Sequence, residues 1–333
     1  MFMPRGFIPP GFFSKSMKIS IIFTGGTIGS AEKDNIISTD SKAAYTLLEK
    51  YRKENEAVDV SFETSEPLKM LSENLSASEI NLIIKSVREA ITEDTDGIIV
   101  THGTDTIQYT AAALSLCLGS ISIPVMLVSS AYPLDDERQN GTDNFAAAVE
   151  FIKEKAGCGV FVPYRNREDG PVTIHDALKL MSHHETSDSL YSLDDEYYAF
   201  YRNNEIIINT GFHKEDRADN DMPADVRYSD DPGILVVMPY PGCSYEFGEL
   251  TGYKYVLFRP YHSATLDTAN EKFISFCRKA SDAGLKLYLS GCSRSTMYES
   301  TLAYRSLGIE ILPYAPFPVD YMRLWGGLLN FDS

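Results

Sequence analysis

"IIFTGGTIGS", residues 21–30, runs a β-branched apolar segment straight into a glycine pair set between two threonines. A short apolar run bounded by turn residues reads as a buried strand. Gly25 and Gly26 permit positive φ and let the backbone come close to whatever lies beyond the strand end. Two readings stand for this stretch. One is a plain strand-ending turn capped by threonine hydroxyls; the other is a nucleophile held at the end of a strand. A phosphate cradle is the weaker idea, since neither GxGxxG nor GxxxxGK[ST] occurs here.

Working outward, "GIIVTHGTDT" at residues 97–106 repeats the pattern: an apolar strand, a polar turn, then a helix through Leu118. A helix N-cap needs one Thr or Asp, not the whole run His102-Gly103-Thr104-Asp105-Thr106. "PVMLVSS", residues 124–130, is a third such strand. Helical spacing covers 41–53, and 58–62 is a short strand. Ser76 and Glu79 form a capping-box pattern that opens a helix over 76–93. A helix over 142–155 and the strand "CGVFVPY" follow. Strands alternating with helices predict an α/β fold, a doubly wound and mostly parallel sheet. In such sheets ligands sit at the carboxyl ends of the strands. The polar clusters 24–27 and 101–106 fall there, with Ser129 and Ser130 beside them.

The 333 residues exceed one ordinary core, which predicts two domains. Residues 213–232, charged and almost free of aliphatics, read as a linker between a larger N-terminal domain (17–212) and a smaller C-terminal α/β domain (233–333). In the latter, "GILVVMP", "YKYVLFRP", "LKLYLS" and "IEILP" are strands, with helices over 268–283 and 319–329. Residues 1–16, broken by Pro4, Pro9 and Pro10, are expected to be a mobile tail rather than a signal peptide or anchor, with Met17 as a candidate start. No apolar run approaches the ~18 residues of a membrane span.

The net charge of −17 argues against nucleic acid as a partner, although a locally cationic pocket remains compatible with it. Five widely spread cysteines without a CxxC pair fit reduced thiols and a cytoplasmic protein. His183-His184-Glu185 is the nearest approach to a metal cluster, but neighbouring residues on regular elements point apart. No HExxH, Cys/His zinc pattern or GxSxG elbow occurs. Lys179, after a strand, is either a solvated lysine or, if buried beside a threonine, a proton relay.

"TGGTIGS" and "VTHGTDTIQYTAAAL", in this order and each at a strand end, resemble the two signature segments of the L-asparaginase/glutaminase family, the bacterial type with two α/β domains. "VMLVSSAYPLDDERQNGTDNFAAAVEFI" is similar to its cytosolic type I branch. "LSENLSASEI" resembles its substrate loop, "TIHDALK" its catalytic-lysine segment, and "LSGCSRSTMYESTLAYRSLGIEIL" its C-terminal domain. The resemblance runs from about Met17 to the end. It implies that Thr27 is the nucleophile forming an acyl-enzyme, and that Thr104, Asp105 and Lys179 form the second threonine's triad. Asp105 would also hold the substrate α-ammonium. Ser72 and Glu73 would bind the amino-acid end, with backbone N–H groups around Gly26 and Thr104 facing the oxyanion.

The resemblance thus implies hydrolysis of L-asparagine to L-aspartate and ammonia, with L-glutamine as a second candidate substrate. It implies no metal or cofactor, no nucleic acid, no membrane, and a homodimer or homotetramer. Two other readings stay open. One is the ammonia-supplying subunit of a glutamyl-tRNA amidotransferase, against which the acidic balance and the lack of a long added N-terminal domain are read. The other is a catalytically weak amino-acid-binding protein. The latter is motivated by a departure: Ile36 and Ile37 stand where the family carries a lid tyrosine, with Tyr45 the next tyrosine, in a helix. Glu299 is a weak counterpart of the family's second-subunit glutamate.

Overall fold

The computed structural model describes residues 16–26, 28, 30–33, 36–39, 41–55, 59–183, 186–212, 226–292 and 298–329. The chain opens with β1 (Met17–Ile22), a hairpin of β2 (Ser30–Lys33) and β3 (Ile36–Thr39), α1 (Ser41–Glu54) and β4 (Val60–Ser65). It continues with α2 (Ala77–Ala90), β5 (Gly97–Thr101), α3 (Ile107–Leu118), β6 (Pro124–Val128), α4 (Gly141–Lys153) and β7 (Gly159–Arg165). A meander of β8 (Val172–Asp176), β9 (Ala199–Arg202) and β10 (Glu205–Ile208) completes the first sheet.

That sheet has eight strands in the order β10-β9-β8-β7-β6-β5-β1-β4. From β4 to β7 every pairing is parallel; from β7 to β10 every pairing is antiparallel. β5 and β6 are buried at every position, because helices cover both faces and a parallel strand then has no wet side. Alternation along the strands sorts their residues between two cores. Ile98, Val100, Val125 and Leu127 pack with α2 and α3, whereas Ile99, Met126 and Val128 pack with α1 and α4. This is the expected doubly wound sheet. The antiparallel edge is the feature its sequence conceals, since "VTIHD" is short and half polar.

The second sheet, β11 (Ile234–Val237), β12 (Tyr255–Phe258), β13 (Lys286–Leu289) and β14 (Ile309–Ile311), is wholly parallel. α5 (Glu271–Asp282) covers it, its N-terminus capped by Asn270 Oδ1, which accepts from the Lys272 N–H at 2.9 Å. The last helix, α6 (Phe317–Trp325), joins the two halves. Val319 and Met322 enter the core of α3, and Tyr321 meets Tyr109 edge-on at 5.9 Å.

Of the expected linker, residues 213–225 lie outside the described residues. Residues 226–232 follow the body of the protein: Val226 and Tyr228 are buried. Asn81 of α2 brackets Tyr228, accepting from its N–H at 3.0 Å and donating to its carbonyl at 2.8 Å.

Candidate active site

The tails of β1 and β5 lie side by side and are stitched by threonines. Thr24 is buried: its N–H donates to Thr101 Oγ1 at 3.2 Å and its hydroxyl to the Thr101 carbonyl at 2.5 Å. Thr24 therefore braces the turn. Gly25 then bridges to Met70, and the Gly26 N–H donates to the Met70 carbonyl at 3.0 Å. The Gly26 amide is thereby spent on the scaffold, so an oxyanion donor must come from its neighbours. Gly26 has φ +78°, and a Cβ there would strike the backbone of His102 and Gly103. A Cβ at Gly103 would strike the Ser72 side chain. These contacts bring the three expected segments into one place: the first signature, the second, and the Ser72–Asn74 turn.

The second signature is held by its own polar groups. His102 is fully buried, and its Nδ1 lies 2.8 Å from the Gly103 carbonyl, which can only accept. The Nδ1 therefore carries the proton, and Nε2 accepts from Thr110 Oγ1 at 2.8 Å. Burial drives this imidazole down to about 4, so it is a neutral brace for the Gly103-Thr104 turn. Thr106 sits at the N-cap of α3 without using its side chain as a cap. Its hydroxyl instead donates to the Ser72 carbonyl at 2.8 Å. A cap alone does not account for this run of residues; the hydroxyl ties two loops together.

Thr104 and Asp105 open onto a cleft of about 630 Å³. Its wall also carries Tyr109 of α3, Tyr164 of β7, His183 from the loop after β8, and Arg259 just past β12. Both halves of the protein thus contribute, and Arg259 places a cation in a strongly acidic chain. Burial pushes the Tyr164 phenol up to about 12 and the His183 imidazole below its ordinary value. The cleft accordingly offers a hydroxyl, a carboxylate, a guanidinium, protonated phenols and a neutral imidazole.

The expected site residues divide as follows. Ser72 is buried against Gly103, and Glu73 beside it is exposed. Thr104 is half-buried and Asp105 exposed. Thr27 lies outside the described residues, between Gly26 and the buried Ile28, and so do His184 and Glu185. Lys179 lies on the turn after β8, its side chain 12 % exposed and its Nζ 3.3 Å from Glu196 Oε2. It is not among the described residues lining the cleft. Tyr45 is exposed on α1, its ring 6.3 Å from Phe23, and Glu299 is exposed. Ser129 and Ser130 are fully buried; the Ser129 carbonyl accepts from Asn144 and the Ser130 hydroxyl donates to the Tyr132 carbonyl.

Tyr164 and Arg259 escaped the sequence reading, and His183 entered it only as part of a dismissed metal cluster. Tyr164 and Arg259 each end a strand segment, so the strand-end rule applied to those segments would have found them. His183 carries no such signal.

Among known proteins, the family model described as asparaginase, N-terminal, matches residues 18–211. The D component of the glutamyl-tRNA(Gln) amidotransferase of Methanobrevibacter smithii is 26 % identical over 303 residues, 88 % of this chain and 66 % of that protein. L-asparaginase of Thermococcus kodakarensis is 32 % identical over 152 residues, 45 % of each chain. The chain spans about half to two thirds of the length of the amidotransferase components it matches. In fold, the thermostable L-asparaginase from Thermococcus kodakarensis superposes with a TM-score of 0.76 at 20 % identity, covering 94 % of this chain and 93 % of that one. No described helix is long and apolar enough to cross a membrane.

Proposed function

Since the chain belongs to the asparaginase family, we propose that it is a cytoplasmic amide hydrolase that converts L-asparagine to L-aspartate and ammonia through a threonine acyl-enzyme. The observation that carries the reading is the packing of Gly26 against Gly103 and of Gly103 against Ser72. In the sequence, Thr27, Thr104, Asp105 and Glu73 follow those three residues by one or two positions, which supports their assignment to one site.

The chemistry follows from that assignment. Thr27 attacks the side-chain amide, and Thr104 helps to activate the attacking group or the water that clears the ester. Asp105 holds the substrate α-ammonium, and Ser72 with Arg259 faces its α-carboxylate. Amides around Thr27 and Thr104 stabilise the oxyanion. Asparagine and glutamine differ by one methylene, worth ~1–3 kcal/mol in a pocket, so both are substrates to compare. A homodimer or homotetramer is part of the reading.

Ammonia release by the purified chain from L-asparagine and L-glutamine tests it. Thr27→Ala and Thr104→Val should each lower kcat by roughly 10²-fold or more, the scale of losing a nucleophile or its activation. Undiminished release from either variant would sink the assigned roles. A second reading, the ammonia-supplying component of a tRNA-dependent amidotransferase, is favoured by the Methanobrevibacter smithii match, which covers 88 % of this chain. Its signature is ammonia release that rises on adding a tRNA-binding partner; full turnover by the isolated chain counts against it.

A further inference from the structure

We propose that His183 is the proton acceptor of this cleft, the part that the family resemblance assigns to Lys179; the proposal rests on the amide-hydrolase reading. Amide hydrolysis by a hydroxyl needs a base that is unprotonated at working pH and whose lone pair is unspent. The Arg259 guanidinium has donors and no acceptor, and the Tyr164 and Tyr109 phenols are both raised by burial, so they remain donors. Lys179 lies off the described cleft wall, its Nζ 3.3 Å from Glu196 Oε2. Of the wall's carboxylates, Asp105 holds the substrate ammonium in this reading and Asp188 accepts from the Tyr132 hydroxyl at 3.3 Å, which leaves His183 as the nitrogen base of the described wall.

Its tautomer is set by geometry. Nδ1 lies 3.0 Å from the Ser189 carbonyl. A carbonyl only accepts, so Nδ1 carries the hydrogen and Nε2 carries the lone pair. Nε2 is shielded from water and has no hydrogen-bond partner among the described residues. The Tyr164 ring meets the imidazole edge-on, 6.1 Å between centroids at 75°, which fixes its plane. The Tyr164 hydroxyl is likewise without a hydrogen bond among the described residues, the Asn140 amide lying near it but outside bonding geometry. The wall thus carries an unspent acceptor in the Nε2 of His183.

The charges around the ring suit the task. Asp105 at the start of α3 and Asp188 from the following loop both favour the imidazolium, while burial disfavours it. Gln108 and Tyr109 from α3, Tyr164 from β7 and Arg259 from the second half also line the described wall. The ring is therefore neutral at rest and is supported by two carboxylates once it takes a proton. As the attacking oxygen bonds to the amide carbon, its proton passes to Nε2. The same proton is returned to the amide nitrogen as the C–N bond breaks, releasing ammonia and leaving an ester. Water repeats the exchange, freeing the acid and the hydroxyl.

The test is the pH profile of ammonia release by the full chain, wild type against His183→Gln, His183→Ala and Lys179→Met. Wild-type kcat should fall on acidification below pH ~6.5, as a base with a lowered imidazole pKa requires. His183→Gln should lose roughly 10²- to 10⁴-fold in kcat with KM within a few-fold, the usual scale of a lost general base. It should also lose the acid limb. Added imidazole should restore part of the His183→Ala rate. The proposal is overturned if His183→Gln keeps its acid limb and its kcat, or if Lys179→Met alone erases the limb. A wild-type chain that releases ammonia from no amide overturns the hydrolase reading together with this one. An active wild type with an unaffected His183→Gln overturns this one alone.

Discussion

At the scale of single residues, the site rests on the near-contact of two glycine backbones. Gly26 adopts φ +78°, and its would-be Cβ falls on the Gly103 amide. Gly26→Ala should therefore cost on two counts, a strained left-handed alanine and an overpacked turn, together ~2–4 kcal/mol. Denaturant unfolding reads the first effect, and ammonia release reads the displacement of Thr104. A variant with the wild-type midpoint and rate would show that the two turns do not touch. What was legible here was local. Thr24 to Thr27 and Thr101 to Thr106 each declare a strand end within a few residues, and the strand-end rule puts them together. Tyr164, His183 and Arg259 reach the same cleft from β7, the loop after β8 and the end of β12. Their meeting depends on sheet order and on the docking of the second half, which no local pattern encodes. The Thr106 hydroxyl makes the same point, since its partner is the Ser72 carbonyl rather than its own helix.

At the scale of elements, α2 and α3 do more than cover the sheet. α3 begins directly after the second signature and carries Tyr109 to the cleft, while its body packs on α6. α2 pins the returning chain through Asn81, whose amide pairs both backbone groups of the buried Tyr228. Asn81→Ala leaves one buried N–H and one buried carbonyl unpaired. At ~1–3 kcal/mol for each orphaned group the expected loss is about 2–6 kcal/mol. An unchanged unfolding midpoint would mean that residues 226–229 do not depend on α2. The sequence marks 213–232 as a charged connector, and periodicity cannot show that Val226 and Tyr228 leave it for the core. The antiparallel edge escaped for a related reason. β8 to β10 are four or five residues each, below the length at which alternation separates strand from loop.

At the scale of the whole molecule, buried titratable groups set opposing pH dependences. His102 and His175 are sealed and driven by burial to about 4 and about 3; His175 Nδ1 lies 2.8 Å from Ser192 Oγ. Below pH ~6.5 the unfolded chain binds protons that the folded histidines refuse, so stability falls on acidification. Asp320 works in the other direction. Its carboxyl is 0 % exposed at the start of α6. It accepts from Ser290 Oγ at 2.7 Å, with Arg323 Nη1 3.5 Å away and the Gly291 amide adding a weaker bond, yet burial raises it to about 7. Between pH 3.8 and about 7 the folded state holds a proton that the unfolded state has lost. Stability therefore falls as pH rises through that window, by roughly 1.4 kcal/mol per unit, and the cost persists above it. Asp320→Asn keeps an acceptor for Ser290 and removes the charge. Its stability relative to wild type should be near zero at pH ~4 and should grow to several kcal/mol by pH ~8, with Ser290 still bonded. With this opposing slope removed, the decline from the two histidines should steepen between pH ~6.5 and ~4. Chemical denaturation of both proteins at pH ~5, ~6.5 and ~8 checks the sign. A difference independent of pH would mean that Asp320 is already ionised in the folded protein across the whole range, with Arg323 carrying its charge.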